Sequence, residues 1–199
     1  MAGTTALHPT LMSVLWPARR EYGVLRFVIL ILAGSLLLTL SARIQIPFWP
    51  VPMTMQTFVV LVLGIAFGPR IGAAAVLLYL FEGAMGLPVF AGAPAKGVGL
   101  AYLAGPTGGY LVGFLAGVVV VGRLAERGWD RRLRNALAAL IIGDALIFAF
   151  GLAWLASLAN FEAAWATGAL PFLPAEALKI ALAAALLPLC WRVARARRT

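Results

Sequence analysis

The chain has 199 residues, of which 63% are apolar and only 12% charged, whereas about a quarter of an ordinary soluble domain is charged. That composition excludes a soluble globular enzyme and indicates a membrane protein. The formal net charge of +9 does not point to nucleic acid, because basic residues beside apolar spans follow from the positive-inside rule.

In chain order, MAGTTALHPTLMSVLWPARR has neither an early basic region nor a small-residue cleavage site before a short apolar core, so no cleaved signal is expected. Apolar runs near 24–42, 54–68, 71–86, 107–122, 136–157 and 174–191 predict six membrane helices. The second run is short and also reads as a re-entrant or oblique segment. With the N-terminus in the cytoplasm, Arg19, Arg20, Arg26, Arg70, Arg123, Arg127, Arg131, Arg132, Arg134, Arg192, Arg195, Arg197 and Arg198 fall at cytoplasmic ends. Only Arg43 and Lys96 fall outside, and Lys179 lies within a span. Thirteen against two supports an all-α integral membrane protein with six spans and both termini cytoplasmic. The expected organisation is a cytoplasmic segment 1–23, a six-helix membrane domain 24–191 and a basic tail 192–199.

The connections differ between the two sides. FGPRIG (67–72) is a tight Pro/Gly turn, and GRLAERGWDRRLRN (122–135) is long and charged, either a solvated topology determinant, an amphipathic surface helix or a partner contact. On the outer side, RIQIPFWPVPMTMQ (43–56) has three prolines in six residues, which forbids regular helix and predicts an extended cap. The loop 86–110 is longer, and Val89, Phe90, Leu100, Tyr102 and Leu103 predict that it packs rather than wanders. The ligand is therefore expected at the outer face.

Gly109, Gly113 and Gly117 form one stripe of the fourth span, and Ser35, Thr39 and Ala42 a weaker stripe on the first. Either stripe serves as an internal packing seam or as a docking face for another membrane protein.

A charge at mid-bilayer costs about 3 kcal/mol, so Glu82, Asp144, Glu176 and Lys179 need partners, an aqueous cavity or a shallow position. Glu176 and Lys179 are three apart on one helix and so share a face. Two readings stand: a shallow pair that neutralises itself while the lysine snorkels, or an inward-facing pair offering an anion and a cation to one small ligand. In the second, Phe90, Tyr102, Tyr110 and the Trp49 region would form the walls. Asp144 is expected to bond across helices. There is no GxxxxGK[ST] or HExxH motif, one cysteine, Cys190, and one histidine, His8. Metal ligation, nucleotide hydrolysis and catalysis within the chain are not expected.

The stretches IPFWPVPMTMQTF, FGPRIGAAAVLLYLFEGAMGLPVFAG, GPTGGYLVGFLAG and LPAEALKIALAAALLP, in this order and spacing, resemble the BioY family across residues 25–190. These are the biotin-specific substrate-binding S components of energy-coupling factor (ECF) transporters. The resemblance implies capture of biotin in a bacterial cytoplasmic membrane, with no cofactor, in association with a transmembrane coupling protein and cytoplasmic ATP-binding subunits. It places Glu176 and Lys179 in the biotin site, with Gly92, Thr107, Gly108 and Tyr110 as further pocket residues. It also points to Ser35 and Thr39 as contacts with the coupling protein. The competing expectation is a self-sufficient proton-linked carrier for a small anionic, vitamin-like solute, motivated by Glu82 and Asp144.

Overall fold

A computed structural model describes residues 8–17, 23–46, 49–95 and 97–196. Arg19, Arg20, Lys96, Arg197 and Arg198 lie outside these residues, as do Pro47 and Phe48 of the cap. The described chain is a helical bundle whose long members are α2 (Gly23–Arg43), α3 (Gln56–Ala84), α5 (Gly108–Glu126), α6 (Leu133–Leu158) and α8 (Leu173–Ala196). Short helices α1 (Leu11–Leu15), α4 (Gly99–Leu103) and α7 (Phe161–Gly168) cover the ends. Among the described residues, five helices are long and apolar enough to cross a membrane.

Two expected segments, 54–68 and 71–86, fall within α3. Gly68 breaks that helix with φ 78° and ψ 178°, a conformation that glycine tolerates, and Pro69 follows it. The two arms then fold back on each other. Gln56 and Tyr79, which would stand about 35 Å apart in a straight helix, are joined by a 2.6 Å bond from Gln56 Nε2 to the Tyr79 hydroxyl.

The glycine stripe of α5 is an internal seam against α6. A Cβ on Gly113 would lie 2.8 Å from Ile147 Cα, and one on Gly117 would lie 3.0 Å from Gly143 O. The small residues of α2 also turn inward: Ser35 is 1% exposed and Ala42 is buried, while Thr39 is half-buried. Leu32, Leu36 and Leu40 occupy the exposed face of α2, as expected for a helix in lipid.

At the cap end, the flanks of the proline-rich segment pair Gln45 with Thr54 and Ile46 with Met53 in a short antiparallel ladder. The following loop is packed. Phe90 stacks on Tyr102 with ring centroids 4.7 Å apart and meets the edge of Tyr79 at 5.4 Å. Arg43 clamps the loop by donating to the carbonyls of Ala93 and Pro88.

At the opposite, basic end, the charged connection forms no separate surface helix. After α5, Gly128 turns the chain at φ 80°, and a single 3-10 turn (Trp129–Arg131) leads into α6. Leu11 and Val14 of α1 pack on Trp191 and Ala194 of α8 there.

Candidate functional site

Helix α8 begins at Leu173, which places Glu176 and Lys179 within its first two turns and on the face turned toward the bundle. They are 3% and 9% exposed, so they form a buried pair rather than a snorkelling surface one. Lys179 Nζ lies 2.7 Å from Glu176 Oε1. The same ammonium donates to Thr54 O at 2.5 Å and to Thr57 Oγ1 at 3.0 Å. The Thr57 hydroxyl in turn donates to Glu176 Oε2 at 2.8 Å.

An ammonium has three N–H donors, and all three of Lys179 are engaged within the chain. Glu176 retains accepting capacity, because each carboxylate oxygen has a second lone pair. Glu176, not Lys179, lines the cavity beneath the cap. Lys179 instead borders a separate apolar groove between the cap strands and α8. The lysine therefore holds the carboxylate, and the carboxylate faces the ligand space.

That cavity has about 50 Å³ of free space, enough for one or two waters, so a larger ligand must displace part of the cap. Its polar wall comprises Thr54, Gln56, Thr57 and Thr107, and its apolar wall includes Tyr110, Phe114 and Phe148. Tyr110 meets Phe148 edge-on with centroids 5.7 Å apart and donates through its hydroxyl to Gly168 O at 2.8 Å.

The expected site residues distribute unevenly. Tyr102, Thr107 and Tyr110 line the cavity with Glu176. Phe90 lies behind Tyr102 as a backing residue. Gly92, at φ 76°, shapes the turn that follows the lining residue Ala91. Gly108 opens α5, where a Cβ would collide with Leu103 O at 1.9 Å. Trp49 is 79% exposed, and Val51 and Pro52 form the wall expected of its region. The Tyr102 hydroxyl donates to Ala91 O at 2.8 Å. Burial pushes its phenol up, with Thr107 pulling partly back, so it remains a neutral donor at physiological pH.

Ser35 donates to Glu82, which gives that intramembrane carboxylate a partner inside the bundle. Asp144 on α6 is buried near Glu176, and its Oδ1 has no hydrogen-bond partner among the described residues. Thr54, Gln56, Thr57 and Asp144 join the site only through the fold. MTMQTF was noticeable as a motif, but its placement against Glu176 requires α3 to fold beside α8, which no local pattern reveals.

Comparison with known proteins bears on the family and the fold. The model of the BioY family matches residues 12–196. A biotin transporter BioY of Thermotoga maritima is 40% identical over 162 residues, covering 78% of this chain and 90% of its own length. A biotin transporter BioY of Rhizobium etli is 40% identical over 158 residues, covering 75% and 82%. In fold, the chain is similar to the crystal structure of the S-component for biotin from an ECF-type ABC transporter, with a TM-score of 0.71 at 22% identity, covering 92% of this chain and 96% of that one. A family match over most of the chain, relatives at 40% identity and a shared fold converge: this multi-pass membrane protein belongs to the BioY family.

Proposed function

We propose that the chain captures biotin at the outer face of a bacterial cytoplasmic membrane, as the non-catalytic substrate-binding subunit of an ECF-type transporter. The observation that carries this reading is the Thr57–Glu176–Lys179 cluster beneath an aromatic-lined cavity. Biotin has ureido N–H donors, an apolar ring and a carboxylate tail. Glu176 accepts from the ureido group, while Lys179 holds Glu176 in place without touching the ligand. The carboxylate tail lies toward Thr107 and the N-terminus of α5, where the helix dipole favours an anion.

The proposed topology is six crossings with both termini cytoplasmic. It is supported by the fold-back of α3 at Gly68 and by thirteen basic residues against two on the assigned sides. Segment 1–23 and tail 192–199 are then cytoplasmic, flanking the membrane domain 24–191. A coupling protein and ATP-binding subunits supply the energy, and Thr39, with the exposed apolar face of α2, is the portion of the expected docking stripe accessible to a partner.

The deciding experiment is equilibrium biotin binding to the detergent-purified chain, with folding checked by monodisperse elution. Saturable binding that Glu176→Ala abolishes is expected. A folded wild type without biotin affinity would overturn the reading.

A further inference from the structure

At the basic end, away from the biotin cavity, a crevice of about 190 Å³ opens between the start of α6 and the last turns of α8. Ala136, Ala184 and Leu187 form its buried apolar floor, and Leu133 continues that floor to the exposed surface. Both helices are candidate spans, Leu133–Leu158 and Leu173–Ala194, and the crevice lies where one starts and the other ends. That is headgroup depth.

The polar wall has an unusual arrangement. Asp130 is 4% exposed. Its Oδ2 accepts from Trp191 Nε1 at 3.0 Å, but its Oδ1 is buried without a hydrogen-bond partner. Arg131 Nε stands 3.9 Å from that oxygen, beyond hydrogen-bond range. The Arg131 guanidinium stacks on the Trp191 ring at 4.0 Å and gives one of its five donors to Pro9 O at 3.0 Å, leaving others for an anion at the rim. Arg192 completes the rim and is exposed.

A buried carboxylate oxygen without a donor costs free energy that a bound ammonium would recover. A rim of guanidinium groups favours a phosphate. The order from inside to outside is thus anion, then cation, above an apolar floor. A zwitterionic headgroup with a terminal primary amine and an adjoining phosphate matches both charges, and its acyl chains continue along Leu133.

We propose that this crevice binds the headgroup of an amine-bearing phospholipid of the phosphatidylethanolamine type, with its ammonium on Asp130 Oδ1 and its phosphate at Arg131 and Arg192. Burial pushes the Asp130 carboxyl above the ordinary aspartate range, although Arg131 pulls it back, which is the condition an incoming ammonium would relieve. The lipid would tie the 3-10 turn to α8 at the end where α1 also packs. This site is independent of the ligand bound beneath the cap.

The test is lipid retention by the full, detergent-purified chain, read by native mass spectrometry after exchange with phosphatidylethanolamine, phosphatidylcholine or phosphatidylglycerol at equal concentration. The wild type is expected to retain phosphatidylethanolamine about tenfold better than either competitor, the effect of one charge-assisted hydrogen bond. Phosphatidylcholine presents the same phosphate but no N–H. Asp130→Asn should abolish the preference, and Arg192→Ala should weaken retention of all three while preserving the order. Biotin binding serves as the folding control. Equal retention of the three lipids by the wild type, a preference for phosphatidylglycerol, or an unchanged preference in a folded Asp130→Asn would each overturn the proposal. If Asp130→Asn does not fold, the wild-type lipid order and Arg192→Ala decide it.

Discussion

Thr57 and Glu176, 119 positions apart in the chain, are joined by a 2.8 Å hydrogen bond that locks the start of α3 to the start of α8. The same hydroxyl accepts from Lys179 at 3.0 Å, so one small side chain fixes both members of the buried ion pair. Removing it leaves one donor and one acceptor of charged groups unmatched in the interior. Thr57→Val is expected to weaken biotin binding about tenfold, the effect of one hydrogen bond to a charged group, and Thr57→Ser to restore most of it. Calorimetric titration of the two variants checks this; equal affinity in Val and wild type would remove Thr57 from the site.

The pair itself separates stability from binding. Lys179→Met leaves a buried carboxylate without its cation and should cost about 3–5 kcal/mol of stability. Combining it with Glu176→Gln removes the uncompensated charge, so the double variant should recover much of that loss. Biotin affinity should not return, because the carboxylate acceptor is gone. Thermal melting and ligand titration of the single and double variants measure the two effects, and recovery of binding in the double variant would refute the assigned role of Glu176.

Asp144 is expected to act as a positioning residue behind Glu176. Asp144→Asn preserves shape and supplies an amide donor near Glu176, so biotin affinity should remain within a few-fold, whereas Asp144→Leu should lower it about tenfold by removing the polar group beside the carboxylate. Restoration by the amide distinguishes orientation of Glu176 from mere filling of space. Equal loss in both variants would place the importance of Asp144 elsewhere.

The α5–α6 seam tolerates no added methyl at Gly113, where a Cβ would meet Ile147 backbone atoms at 2.8 Å. Gly113→Ala should therefore destabilise by about 1–3 kcal/mol through overpacking. Melting of the purified variant in detergent checks the prediction, and an unchanged midpoint would mean that the two helices separate at little cost.

Much of the architecture was legible in the chain. Apolar run lengths located the long helices because a bilayer imposes a fixed span, and three closely spaced prolines marked the extended cap because they remove donors and fix φ. Local pattern also isolated Glu176 and Lys179, since buried charge is expensive wherever it occurs. The short helices α1 and α7 were not anticipated, as neither has the length that bilayer thickness demands; only Asn160, which caps α7 by accepting from Ala163 N at 2.8 Å, was a signal for the second.

Composition, motif order and i,i+3 spacing are properties of the linear chain, so the solvent this protein lives in, its family and the charged pair of the candidate site are legible without a fold. What that pair touches is a matter of packing. That Ser35 reaches Glu82, that the glycine stripe turns inward and that Glu176 rather than Lys179 lines the cavity all depend on which helix packs beside which. The contacts involved join residues from 26 positions apart, Gly117 and Gly143, to 125, Thr54 and Lys179, and such pairings are fixed by packing between helices rather than by any local preference of the backbone.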